Sequence, residues 1–279
     1  MESGTVLRKS GASPELLLLA DLSLAEFLRH LARHGGAIHE EDGLLLFAGA
    51  HPEPNPYRNG VLRLDQRLPA GEVLRRADEF FSGRRSGYVV WTRGHADADL
   101  DAAAHDARVV ELERLPELVL EELPPQVAAP DGVEVRRALD RPTRRDYLRV
   151  VASAWGTAAM PLELAARIFF DPRSVDAPNV AAFVAYYDGV PLSGAMTFVT
   201  HGVALGCQAA TVPAGERRGL AESCLREALR VSFEDLGARL SLCQTTALAA
   251  PVWHRLGYEP FTSYARYLAP PRLVRAAAG

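Results

Sequence analysis

Two periodicities alternate along the chain. In some stretches apolar residues recur every three or four positions, the spacing of one helix face. In others, short apolar runs are bounded by glycine, proline or aspartate, as strands are. In the second half, "GVEVRRAL" reads as a strand, "TRRDYLRVVASAW" as a helix and "PLELAARIFF" as a second helix. "NVAAFVAYYDGVPLSGAMTFVTHG" predicts a hairpin turning at Asp188-Gly189. The strand "GVALGCQAATV" ends at Pro213, which has no N–H for a ladder. Leu220, Cys224, Leu225, Ala228 and Leu229 then share one face of a helix from 219 to about 235. "RLSLCQTT" is a strand, "LAAPVWHRLG" a short helix and "FTSYARYLA" a last strand. The order is β-α-α-β-β-β-α-β-α-β.

The first half carries a similar alternation. Ser23 and Glu26 form a capping-box pattern that predicts a helix running to His34, with Gly35 as its stop. "GAIHEEDGLLLFAGA" predicts a hairpin at Asp42-Gly43, and "HPEPNPYRNG" an irregular loop. "AGEVLRRADEFF" is helical and "GYVVWT" a strand. "LPPQVAAPDG" (123–132), proline-rich and ending in Asp-Gly, reads as an interdomain linker. The expected domains are therefore 1–125 and 133–279, joined through 126–132.

Composition narrows the picture only a little. With 48% hydrophobic residues over 279 positions the chain has ample core material, and its length favours two domains. A net charge of −4 gives no basic surface for nucleic acid. Lys9 is the only lysine, a bias that fits a GC-rich bacterial genome. Three cysteines without CxxC spacing, and no secretory signal, point to a reducing cytoplasm. "ELLLLADLSLAEFL", broken by Asp21 and Glu26, is too short and too acidic for a membrane span.

The chemistry centres on "TVPAGERRGLAESCL" (211–225). A helix start presents unpaired N–H groups and the positive end of a dipole, which suits a pyrophosphate. Gly219 lets the backbone approach an anion closely, and Arg217 and Arg218 add positive charge. Residues 131 to 269 resemble, in element order and landmarks, the GNAT superfamily of acyl-coenzyme A-dependent N-acetyltransferases. The family's phosphate loop reads Arg or Gln, two residues, Gly, one residue, Gly or Ala. "ERRGLA" (216–221) matches at Gly219 and Ala221 and departs at Glu216. The family's tyrosine, three residues before a Leu-Gly-aromatic step, is Trp253 in "WHRLGY", and Thr246 stands where many members carry asparagine.

The resemblance implies an acetyl-CoA site without metal. Ala209, Thr211 and Val212 would pair with pantetheine, and Glu216, Arg217, Arg218, Gly219, Leu220 and Ala221 would surround the pyrophosphate. It implies acetyl transfer by direct attack of a primary amine, on a small molecule or a peptide, with no nucleic acid or membrane partner and a homodimer left open. Trp253 has no proton to give up, so Tyr258 and Tyr264 are candidate acids. Glu216 and Trp253 keep a second reading open, an impaired acyl-CoA-binding sensor or scaffold. A purely structural interaction module requires the loop match to be coincidence.

The implied fold class is mixed α/β: two tandem domains of this type, each a mostly antiparallel twisted sheet flanked by helices. The first is expected to be degenerate. Its "LPAGE" (68–72) echoes "VPAGE" (212–216), and Arg75 falls at the position equivalent to Gly219. His30, His34 and His39 lack the glutamate of a zinc-protease helix and read as a solvated face. Cys207 reads as a small buried hydrophobe, and His201 as a turn residue or proton relay.

Overall fold

The computed structural model describes residues 12–34, 36–52, 55–107, 109–154 and 171–271. The second helix expected at 161–170 and the stop at Gly35 lie outside these residues. Helix α1 (Pro14–Arg33) does not start at the Ser23–Glu26 box. Ser13 caps it instead, its Oγ accepting the Leu16 N–H at 3.1 Å, and Ser23 is fully buried. Proline is tolerated in a first turn, and the four leucines at 16–19 carry the apolar face straight through the false start.

Strands β1 (Ala37–Glu41) and β2 (Leu44–Ala48) form the expected hairpin, with Asp42 and Gly43 at φ 50° and 76°. Strand β3 (Asn59–Arg63) begins inside the stretch expected to be irregular. Then come α2 (Ala70–Ser82), β4 (Tyr88–Arg93), α3 (Ala98–Asp106) and β5 (Val110–Leu120). The second half adds β6 (Val133–Arg137), α4 (Arg141–Ala152) and a short α5 (Pro172–Val175). It continues with β7 (Val180–Tyr187), β8 (Val190–Thr200), β9 (Val203–Thr211) and α6 (Leu220–Glu234). Strand β10 (Leu240–Gln244), α7 (Ala250–Arg255) and β11 (Glu259–Ala269) close it.

The chain divides into two compact units that interleave in sequence. One gathers residues up to Leu24 with Pro116–Phe261; the other gathers Ala25–Leu115 with the chain from Thr262. In the 25–115 unit, β1, β2 and β3 pair antiparallel, β3 and β4 pair parallel, and β4 pairs antiparallel with β11 from Tyr88↔Ala269 to Arg93↔Tyr264. In the 116–261 unit, β6 to β9 pair antiparallel and β9 pairs parallel with β10. Strand β10 pairs antiparallel with β5, from Glu117↔Gln244 to Leu120↔Ser241. The expected class, mixed α/β with mostly antiparallel strands and flanking helices, is found. The expected cut at 126–132 is not where the compact units part. Strands β5 and β11 each run through the division, so sheet topology does not separate two domains.

Helix α6 buries the face that its periodicity predicts. Leu220, Cys224, Leu225, Ala228 and Leu229 pack with Phe183, Ala195, Cys243 and Trp253 in one core. Each fully buried leucine contributes about 1.5–3 kcal/mol.

Candidate functional site: a fork between two parallel strands

Strands β9 and β10 pair only as far as Gly206↔Cys243, and β9 then continues to Thr211 without β10 beside it. On its other side β9 stays on β8, but with a register shift between Gly194 and Met196. Gln208, at φ 53°, sits in that irregularity, and its Oε1 accepts the Tyr147 hydroxyl at 3.2 Å. Val212 N–H donates to the Leu192 carbonyl at 2.9 Å. Alternation then turns the amide and carbonyl of Thr211 and Ala209 away from β8, toward the open side. An extended ligand can pair there as an added strand.

At the bottom of the fork stands Trp253. A Cβ on Gly206 would meet the indole Cη2 at 2.8 Å and the Cys243 Cβ at 3.4 Å, so only glycine fits beneath this ring. A glycine inside a strand was the sequence signal for this close approach, and the expectations above passed over it. Trp253 is 3% exposed and meets Tyr258 edge to face at 5.0 Å. The Tyr258 hydroxyl shares a hydrogen bond with Ser241 Oγ at 2.6 Å. Burial, with smaller contributions from Cys243 and Glu117, pushes that phenol well above its ordinary value. Tyr264 belongs to the other compact unit, where it is fully buried and its ring lies 6.0 Å from that of His95.

Beyond β9 the chain makes a 3₁₀ turn at Pro213–Gly215, then Arg217 and Gly219 both adopt left-handed backbone, at φ 58° and 76°. Gly219 is the N-cap of α6, and the first helical bond runs from Ser223 N–H to the Gly219 carbonyl at 3.0 Å. The N–H groups of 219 to 222 therefore have no helical acceptor. Glu216, Arg217 and Arg218 are exposed. Arg218 Nε donates to the Ala214 carbonyl at 3.2 Å, and its guanidinium lies 4.5 Å over the Tyr187 ring. Leu220 is buried beneath the loop and Ala221 half-buried beside it.

In the helix's first turn, burial pushes the Glu222 carboxyl up, but Arg226 and Arg255 outweigh it and hold the group below its usual range. Thr246 is committed to a cap: its Oγ1 and carbonyl accept the Ala249 N–H at 3.3 and 3.1 Å. Burial pushes the Cys207 thiol far up, so it stays protonated. His201 occupies the β8–β9 turn, at the end of β9 away from the fork, roughly 25 Å along the strand from Ala209.

The equivalent step of the other unit is built differently. There the parallel pair ends at Leu62↔Trp91, and the next residue, Arg63, is 1% exposed. Its guanidinium donates to Asp97 (2.8 and 3.0 Å), to Asp99 (2.5 and 2.8 Å) and to the Leu68 carbonyl (3.1 Å). Arg93 binds the same Asp97 at 2.7 and 2.9 Å. Helix α2 follows after residues 64–69, with Pro69 as N-cap at φ −61°. Arg75 is thus inside the helix, bonded to Glu72 and Glu79, and does not occupy the helix start that the sequence echo assigned to it. Proline fixes the φ that a first turn needs, so the helix begins there rather than after a left-handed loop.

Among the described residues no group of three or more His, Cys, Asp or Glu is arranged to hold a metal ion, and no helix is long and apolar enough to cross a membrane. His30, predicted to face solvent, is 6% exposed and meets the His34 ring edge to face at 5.1 Å.

Neither a family model nor a curated protein matches the sequence. Solved structures do. A GCN5-related N-acetyltransferase from Kribbella flavida aligns over 90% of this chain and 95% of its own, with TM-score 0.69 and 18% identity. One from Sphaerobacter thermophilus aligns over 84% and 78%, with TM-score 0.60 and 14% identity. A tandem GNAT protein from the clavulanic acid biosynthesis pathway aligns over 86% and 80%, with TM-score 0.59 and 15% identity. The chain therefore has the fold of the GCN5-related N-acetyltransferases, the GNAT fold, and shares it with a protein built of two such domains in tandem.

Proposed function

We propose that the 116–261 unit binds acetyl-CoA and transfers its acetyl group to a primary amine. The observation that carries this reading is the fork: β9 outruns β10 at Gly206 and leads into a left-handed Gly219 at the start of α6. Pantetheine would pair with Ala209 and Thr211 and pass Val212. The N–H groups of 219 to 222 would hold the pyrophosphate, with Arg217 and Arg218 beside it. Glu216 is exposed and takes no backbone donor away.

The thioester carbonyl would lie near Gly206, where a neutral amine attacks it directly. Cys207, held protonated, is a poor nucleophile, which favours direct attack over a covalent enzyme intermediate. A thiol of ordinary pKa ~8.5 is a tolerable leaving group without an acid, so Trp253 does not preclude turnover. The impaired sensor remains the second reading, favoured by Trp253 at the position where the family's tyrosine would donate. In the 25–115 unit the Arg63–Asp97–Asp99 cluster fills the corresponding place, so one acetyl-CoA per chain is expected.

Calorimetric titration with acetyl-CoA tests this. Gly219→Asp strains the left-handed N-cap (φ 76°), brings a Cβ to 3.1 Å from Pro130 Cγ and adds an anion at the helix start, and binding is expected to weaken at least tenfold, about 1.4 kcal/mol. Unchanged affinity in the folded variant, or two molecules bound per chain, would count against the assignment.

A further inference from the structure

We propose that Tyr147 of α4 is a positioning residue for acetyl-CoA: through Gln208 it holds one extra residue in β9, and that residue decides which backbone groups of the strand face the ligand. The inference rests on the acetyl-CoA reading above.

The strand pairing shows the extra residue. Met196 lies opposite Cys207 and Gly194 opposite Ala210, so Gln208 and Ala209 together face the single residue Ala195. Without the insertion, Ala209 would take the place opposite Gly194. A slip of one residue exchanges the two sides of a strand. The N–H and carbonyl of Ala209 would then turn to β8, and those of Ala210 to the open side. The row of groups offered to pantetheine would shift by one.

Gln208 is an uncommon residue to carry such an insertion. At φ 53° it is left-handed, where a bulge ordinarily places glycine and where a Cβ is disfavoured. Its side chain supplies the hold that the backbone lacks. Gln208 is buried, and the hydroxyl of the fully buried Tyr147 donates to its Oε1. Burial pushes the Tyr147 phenol well above its ordinary value, so it keeps the proton that it donates. The ring is seated against β8: a Cβ on Gly194 would meet its Cδ2 at 3.0 Å and its Cε2 at 3.2 Å. Gly194 is also the residue at which the register shifts. One buried aromatic side chain thus meets both strands at the irregularity, packing on one and bonding to the other.

Tyr147→Phe, Gln208→Ala and Gln208→Gly are compared with the full-length parent by thermal melting and by calorimetric titration with acetyl-CoA. The two Gln208 variants lose the same hydrogen bond and the same side-chain amide, but only glycine takes up the left-handed backbone unaided. Gln208→Ala is expected to bind acetyl-CoA about five- to tenfold more weakly than the parent, because the competent register is populated less. Tyr147→Phe should weaken binding in the same sense. Gln208→Gly should bind clearly more tightly than Gln208→Ala, and adding Gln208→Gly to Tyr147→Phe should recover affinity. A tie that serves stability alone would lower the melting temperature and leave affinity per folded molecule at the parental value in every variant, which would overturn the inference. Equal affinities for Gln208→Ala and Gln208→Gly would overturn it too. Should Gln208→Ala fail to fold, the double variant decides: no recovery over Tyr147→Phe counts against the inference. Failure of the parent to bind acetyl-CoA at all would instead remove the acetyl-CoA reading, and this inference with it.

Discussion

The chain builds the same step twice, strand to helix to parallel strand, as β3–α2–β4 and as β9–α6–β10. One copy is filled and the other is open. After Leu62 the first copy sets Arg63, whose five donor contacts to Asp97, Asp99 and Leu68 tie the strand ends to the start of α3. After Gly206 the second copy sets Cys207, and β9 runs on against β8 without β10 beside it. The helix starts differ in the same sense. Pro69 begins α2 from extended backbone at φ −61°, whereas two left-handed residues, Arg217 and Gly219, precede α6. The two steps therefore share their order of strand, helix and parallel strand, and differ in the residue that follows the last parallel pair and in the turn at the helix start.

The exchange of last strands supplies the largest test of that contrast. Strand β10 carries one edge of the open fork, and its other edge is held by Glu117–Leu120 of the first half. A fragment of residues 131–279 removes that strand and also leaves residues 264–269 without β4. The fragment is expected to lose cooperative folding altogether and to aggregate through the bared edges. Size-exclusion and thermal melting check this; a monodisperse, acetyl-CoA-binding fragment would show that the open copy stands alone.

Next in size is the filled copy's own core. Asp97→Ala leaves Arg63 and Arg93 buried without their shared carboxylate, which is expected to cost about 3–5 kcal/mol by denaturant melting. Acetyl-CoA affinity per folded molecule should not change. A parallel loss of affinity would mean that the two copies are not independent in function.

The open copy can be filled deliberately. Gly206→Ala pushes a methyl into the Trp253 ring and is expected to cost about 1–3 kcal/mol of stability. Acetyl-CoA binding should weaken as the indole is displaced, measured by the same titration. Normal binding would place the thioester away from Gly206.

Much of the open copy was readable in the sequence, because its signals are local. Asp188-Gly189 turned the hairpin, Pro213 ended a strand, and the five-residue apolar face of α6 is buried as its spacing required. The filled copy was harder. Its β3 is five residues long and starts inside a proline-rich stretch, and β5, which ends in the other unit, carries Pro116. In fact the Pro116 carbonyl accepts the Thr245 N–H at 3.3 Å, and the ring costs β5 only a donor. The strand exchange had no signal at all. That β11 pairs with β4 and β5 with β10 is a long-range choice, and no residue near Leu115 or Phe261 announces it. Gly206 was visible as a glycine, but Trp253 above it becomes evident only once the helix is packed on the sheet.

The smallest expected effect is at that tryptophan. Trp253→Tyr keeps an aromatic ring in contact with Gly206 and Tyr258, so the fold should survive with a loss of about 1–2 kcal/mol in melting. If the ring lines the thioester, as the fork geometry supports, the new hydroxyl adds a proton donor where the indole has none to release. Turnover of amine acceptors should then rise, but modestly, because a thiolate leaves tolerably well unaided. The two readouts are separable: stability reports packing, and rate per folded molecule reports chemistry. A stability loss with an unchanged rate would make Trp253 a wall of the core and return the proton question to other groups. The open copy would then differ from the filled one in shape but not in reactivity.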